Sequence, residues 1–188
     1  MTDPTPAAPT PAPSAGFPPA PPVTSTGFVY ADVPNRAIAY IIDAIILFVI
    51  NVVVAVILVA VGITNTGLGI GSIILTIVGL AISAAYFIYT WTSMRATLGM
   101  KILGMQIGNA GDGKTLTTDQ AVRRWIALGA PFTIAQVFSE LPGLGLLISL
   151  AGLAWFIFLV YTTAKSPTKQ GFHDVFANTQ VVKAARSA

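Results

Sequence analysis

Residues 37 to 61 form a run of 25 residues in which Asp43 is the single charged side chain, with Arg36 at its start. At 1.5 Å per residue a helix of this length crosses a ~30 Å hydrocarbon core. A carboxylate in such a helix disfavours insertion by roughly 2.5 to 3.5 kcal/mol. A chain keeps one where it faces protein, a partner or a water-filled cavity, so Asp43 is a candidate functional site. The structural alternative is that Asp43, about 10 Å inside the span, is hydrated from the headgroup region and serves packing alone.

Composition agrees with a membrane chain. Of 188 residues, 54% are hydrophobic and only 9% charged, outside the usual range of soluble domains. There is no cysteine, which removes disulfides and thiol chemistry, and the single histidine argues against a protein-only zinc centre. No metal, cofactor or nucleic acid is expected, and nothing assembles a catalytic set, so the chain does not read as an enzyme.

Residues 1 to 27 hold nine prolines and no Lys or Arg. They read as a disordered, cytoplasmic, polyproline-like tail rather than a signal peptide. The expected spans are about 37–61 and 70–94, then two shorter ones at about 126–139 and 144–163, separated by Glu140-Leu141-Pro142-Gly143. The 126–139 segment is short for a full crossing, leaving a re-entrant helix as the alternative. Between spans two and three lies a polar insert, 95–124, read as a short β-hairpin (Ile102 to Ile107, a Gly-rich turn, Lys114 to Thr117). A helix capped by Thr117 or Thr118 follows it, placing Arg123, Arg124 and Trp125 at headgroup level. The domain occupies 28–183, with a C-terminal tail at 184–188. The expected fold class is therefore an all-α membrane protein: a small bundle of about four transmembrane helices carrying a hairpin and amphipathic-helix insert.

Every Lys and Arg lies before the first span, in the insert or after the last span, and the linkers at 62–70 and 140–143 have none. By the positive-inside rule both termini and the insert are cytoplasmic, in a multi-pass protein of the cell membrane.

On a helical wheel Arg36, Tyr40, Asp43 and Asn51 fall within about 80°, making a polar stripe in which Tyr40 can hydrogen-bond Asp43. Arg123, Arg124 or His173 can supply a partner charge. The second span answers with Ser72, Thr76, Gly79, Ser83, Tyr86, Thr90 and Ser93, a seam of small or polar residues suited to helix packing or to lining a hydrated path. Gly145, Ser149 and Gly152 suggest a second packing face. The glycines near 67–71 and 111–113 lack the context of a nucleotide-binding loop.

Several stretches together resemble a known family. Asn35 to Asp43, Thr97 to Ile107, Asp112-Gly113, Leu116-Thr117, Gly171 to Asp174 and Thr179 to Val182 look like the RDD family of small bacterial membrane proteins, named for one arginine and two aspartates. Order and spacing match over 30–183. The resemblance carries the arginine and first aspartate to Arg36 and Asp43 and the second aspartate to Asp174. It adds Gly99, Lys101, Gly104, Asp112, Gly113 and His173 as motif positions. Lys169-Gln170 and Gln180 depart from the pattern without disturbing it, and the Pro-rich leader is similar to leaders of actinobacterial members. The resemblance implies a role in transport, some members looking like cation/proton antiporters.

Two functions are expected on this basis. One is cation or proton exchange at Asp43, lined by Arg36, Tyr40 and Asn51, in a homo-oligomer or beside a membrane partner in the bilayer. The other is an interaction protein whose hairpin, Arg123–Trp125 helix and His173-Asp174 tail dock a partner, with Asp43 only pinning the bundle.

Overall fold

The computed structural model describes residues 28–63, 69–139 and 145–184, with side chains described except at 130–139 and 184. The Pro-rich segment, the Asn65 linker, the Glu140 turn and the final tail lie outside the described residues.

The chain enters through a short strand, β1 (Phe28–Tyr30), and a long helix, α1 (Val33–Ala60). Asp32 caps α1 by accepting from the Asn35 amide at 3.3 Å, and Pro34 occupies its first turn, where a missing amide proton costs nothing. The second helix, α2 (Ile70–Tyr89), runs on through a wider π-helical turn, Thr90–Met94, and stops at Arg95, which is in the left-handed region at φ 56°. A five-residue helix, α3 (Leu98–Ile102), and a strand, β2 (Met105–Asn109), come next. Then follow α4 (Thr118–Ser139), α5 (Gly145–Lys165), the short α6 (Phe172–Phe176) and β3 (Thr179–Ala184).

Among the described residues three helices are long and apolar enough to cross a membrane: Val33–Ala60, Ile70–Met94 and Gly145–Lys165. Their outward faces carry large exposed side chains such as Phe48, Val56, Ile77 and Ile157. That arrangement fits lipid rather than water as the surrounding medium. The segment expected as a capped helix followed by a separate third span is one continuous helix, α4. Thr117 and Gln120 close its start reciprocally, Gln120 N donating to Thr117 Oγ1 at 3.2 Å and Thr117 N to Gln120 Oε1 at 3.1 Å.

The expected hairpin is not formed. β2 pairs instead with β3, antiparallel, with Ile107 opposite Val181, and β1 pairs with the other edge of β3, Tyr30 opposite Val182. The three-stranded sheet has the order β1-β3-β2. Lys114 to Thr117 is irregular because it has two other tasks: Leu116 enters the core and Thr117 caps α4. The C-terminal region, expected as a polar tail, supplies α6 and the central strand. Its Val181 is buried beside Met105 and Ile107 on one face of the sheet, and Thr179 is buried on that same face. The sheet thus joins a segment before α1, one after α2 and one after α5. All three meet at one end of the helices, on a core of Ala31, Ala39, Trp91, Met100 and Leu116.

Candidate functional site

Two buried aspartates organise the region where helices meet sheet, and their surroundings differ in kind. Asp43 sits in the third turn of α1 and is 2% exposed. Its Oδ1 accepts from the Tyr86 hydroxyl at 2.6 Å and the Gly99 amide at 2.8 Å, and its Oδ2 from Thr97 Oγ1 at 2.5 Å. Tyr86 comes from α2. Thr97 and Gly99 open α3, where Thr97 Oγ1 also accepts from the Met100 amide at 3.1 Å as the cap of that helix. Glycine is required at 99 because a Cβ there would strike the carbonyl of Ala39 on α1. The close backbone approach lets the Gly99 amide reach Asp43. All three donors are neutral, and among the described residues no Lys, Arg or His forms an ion pair with Asp43.

Asp174, in α6, is fully buried. Its Oδ2 takes Arg36 at 2.6 Å and the Gly171 amide at 3.0 Å, and its Oδ1 takes Arg124. Arg36 also donates to the carbonyls of Ala31 at 3.0 Å and Val181 at 3.4 Å, while Arg124 donates to Thr179 at 2.7 Å and lies over the Trp91 ring. Burial by itself would push the Asp174 carboxyl up. The two guanidiniums, Arg124 foremost, outweigh it and hold the group well below the usual carboxylate range, so it stays ionised. His173 is pushed down to about 4 by burial, against the opposing pull of Asp174. It is neutral at neutral pH.

The polar stripe expected on α1 therefore divides. Arg36 serves Asp174, 138 residues away in sequence, and not Asp43. Tyr40 is 44% exposed and makes no hydrogen bond to Asp43; the tyrosine that does is Tyr86, from the opposite helix. Asn51 donates to its own helix at the Leu47 carbonyl, 2.8 Å, and packs against Gly79 of α2. It lies ~12 Å along the axis from Asp43, too far to join one site. Of the charges offered as partners of Asp43, Arg124 and His173 enclose Asp174, and Arg123 pairs with Asp119 on the surface at 2.9 Å. Arg124 is thus buried against Asp174 and not on the surface of the helix. With Arg124, His173 and Asp174 buried, the docking face expected from them is not presented to a partner.

The seam on α2 is used piecewise. Ser83 accepts from the Trp125 indole at 3.2 Å and Tyr86 reaches Asp43, whereas Thr76 and Thr90 bond back to their own helix. Gly152 is buried in α5, but Ser149 is exposed. Among the remaining motif positions, Lys101 is exposed, Gly104 and Gly113 hold turns at φ 67° and 68°, and Asp112 pairs with Lys114 in a surface loop. Thr97 and Tyr86 were not expected as ligands of Asp43, and Arg124 was expected beside Asp43 rather than Asp174. The Thr-x-Gly opening of α3 was the available signal for the first of them.

A cavity of about 220 Å³ lies between these two nodes, with Arg36, Asp43, Thr97, Arg124 and His173 among its walls.

The arginine of the first stretch bonded to the aspartate of the last, with a separate aspartate held by the central stretch, is the arrangement that joins the motifs into one unit. The RDD family model matches residues 30–178. The chain belongs to the RDD family. RDD proteins are small bacterial membrane proteins, in keeping with the three apolar helices here. No individual curated protein matches the chain. The matched RDD region begins in β1 and ends at the turn before β3, so it contains both aspartate nodes.

Proposed function

We propose that this RDD protein is a small transport-related protein of the cell membrane in which Asp43 exchanges a proton or small cation. One observation carries the reading: Asp43 is buried, borders the cavity, and is met by hydrogen-bond donors but by no cationic side chain among the described residues. A buried carboxylate without a counter-charge is expensive to hold, and a proton or a cation is what relieves that cost. Asp174 has its charge fixed by two arginines and is the structural member of the pair. The Tyr86 and Thr97 hydroxyls, which can turn from donating to accepting, are the groups that pass a proton to and from Asp43.

The reading includes four crossings, α4 being the fourth, with both ends of the chain cytoplasmic. Support comes from the sheet, which brings the segments before α1, after α2 and after α5 to one end of the bundle, and from the basic residues, which cluster in the same segments. Four short helices enclose little volume, so the transporting unit is a homo-oligomer in the bilayer.

The test is flux through purified protein in liposomes after a pH jump or a cation jump. Wild type is expected to dissipate the gradient and Asp43→Asn to lose that activity. Loss of fold is not expected in the variant. The asparagine carbonyl can still accept from Gly99 and Tyr86, and its amide can donate to Thr97, at a cost of about 1–2 kcal/mol. Unchanged flux in folded Asp43→Asn refutes the assignment.

A further inference from the structure

The cavity between the two aspartates holds polar groups that neither node satisfies. Trp91 Nε1, Arg124 Nε and His173 Nδ1 are buried and make no hydrogen bond among the described residues, and all three side chains line this cavity. The indole N–H and the guanidinium Nε–H can only donate. Each left unmet in an apolar interior costs about as much as a lost hydrogen bond, so two such donors at one cavity call for an occupant that brings acceptor oxygens; His173, neutral and with Nε2 toward Asp174, presents Nδ1 as an acceptor beside them.

The remainder of the cavity states what else the occupant carries. Its walls are mainly apolar, with Phe87, Leu128, Leu159 and Val181 among them. The wall residues that are exposed belong to two helices only: Ala37, Tyr40 and Ile41 on α1, and Phe156 and Val160 on α5. The mouth therefore opens sideways between α1 and α5. It lies in the first three turns of α1 and the last turns of α5, next to the sheet, at the level where a membrane-spanning bundle meets lipid headgroups. From the mouth, exposed side chains continue along each helix at helical spacing, Ile41, Ile45 and Phe48 on one and Val160, Phe156 and Leu153 on the other.

We propose that this cavity is a binding site for one phospholipid of the leaflet next to the sheet. The phosphate oxygens accept from Trp91 and Arg124, and the acyl chains lie in the channel between α1 and α5. Charge at the Asp174 end of the cavity favours this assignment: Arg36 and Arg124 share the single carboxylate of Asp174 and leave a net positive charge there. The site stands whether or not Asp43 exchanges ions.

The test is titration of the purified full chain in detergent with short-chain phosphatidylglycerol, read by native mass spectrometry alongside a melting curve. Wild type is expected to take up one lipid saturably. Trp91→Phe, which keeps an aromatic ring but removes the N–H, is expected to bind roughly tenfold more weakly. Ala37→Trp, at an exposed position in the mouth, is expected to abolish uptake with its melting midpoint unchanged. No saturable lipid in wild type would mean that water satisfies the donors and would overturn the proposal. So would uptake unaffected by Ala37→Trp, or displacement of the lipid by inorganic phosphate alone.

Discussion

At the residue scale the molecule sets two buried carboxylates against each other. Removing the charge of Asp174 leaves Arg36 and Arg124 facing one another in a dry site, and breaking a buried pair in this way costs about 3–5 kcal/mol. Asp174→Asn is expected to lower the melting midpoint far more than Asp43→Asn does; equal losses would show that the arginines find other partners. The same cluster predicts a pH dependence. His173 has its folded value lowered from 6.5 to about 4, so the unfolded chain binds the extra proton first. Stability is then fully present above pH ~6.5 and falls as pH drops toward ~4, by roughly 3 kcal/mol at the lower end. Asp174, also lowered, adds a further loss only below the ordinary carboxylate range near 3.8. Melting curves across this range are expected to show the first decline in wild type and to lack it in His173→Gln; an undiminished decline in that variant would assign it elsewhere.

At the element scale the joint between α1 and α3 is the tightest. Gly99→Ala places a methyl against the Ala39 carbonyl and pushes α3 off α1, which also lengthens the Gly99 bond to Asp43. A loss of about 1–3 kcal/mol is expected from such overpacking, read as a lower melting midpoint. A neutral substitution would show that α3 is free to shift. The elements also show how far the sequence could be read. The long helices were legible from uninterrupted apolar length, and Asp43 stood out because a carboxylate in that setting is costly. Partnerships were not legible. A wheel projects Arg36, Tyr40, Asp43 and Asn51 onto one face but carries no axial distance and no knowledge of the neighbouring helix. It therefore could not separate Arg36 from Asp43, nor replace Tyr40 by Tyr86. The strand β3 was hidden because Lys183 and the polar residues around it mask a short alternation whose significance depends on β1 and β2 arriving from 70 or more residues away. A hairpin was the local solution for β2; the distant partner won because it buries Val181 against Met105 and Ile107.

At the scale of the whole molecule, the sheet ties three chain segments to the same end of the bundle, and the proposed orientation makes that end cytoplasmic. The native chain has no cysteine, so single cysteines report on this without background. A cysteine at Asp112 is expected to resist a membrane-impermeant maleimide in intact cells and one at Asn65 to react; the reverse pattern would invert the protein. The division of labour between the aspartates is tested most directly in one set of liposomes carrying Asp43→Asn or Asp174→Asn, each scored for folded fraction and for flux per folded molecule. Expected is a well-folded Asp43→Asn without flux, beside an Asp174→Asn whose folded fraction is reduced but whose surviving molecules still conduct. Wild-type flux per folded molecule in Asp43→Asn would contradict the assignment of Asp43 as the exchanging site.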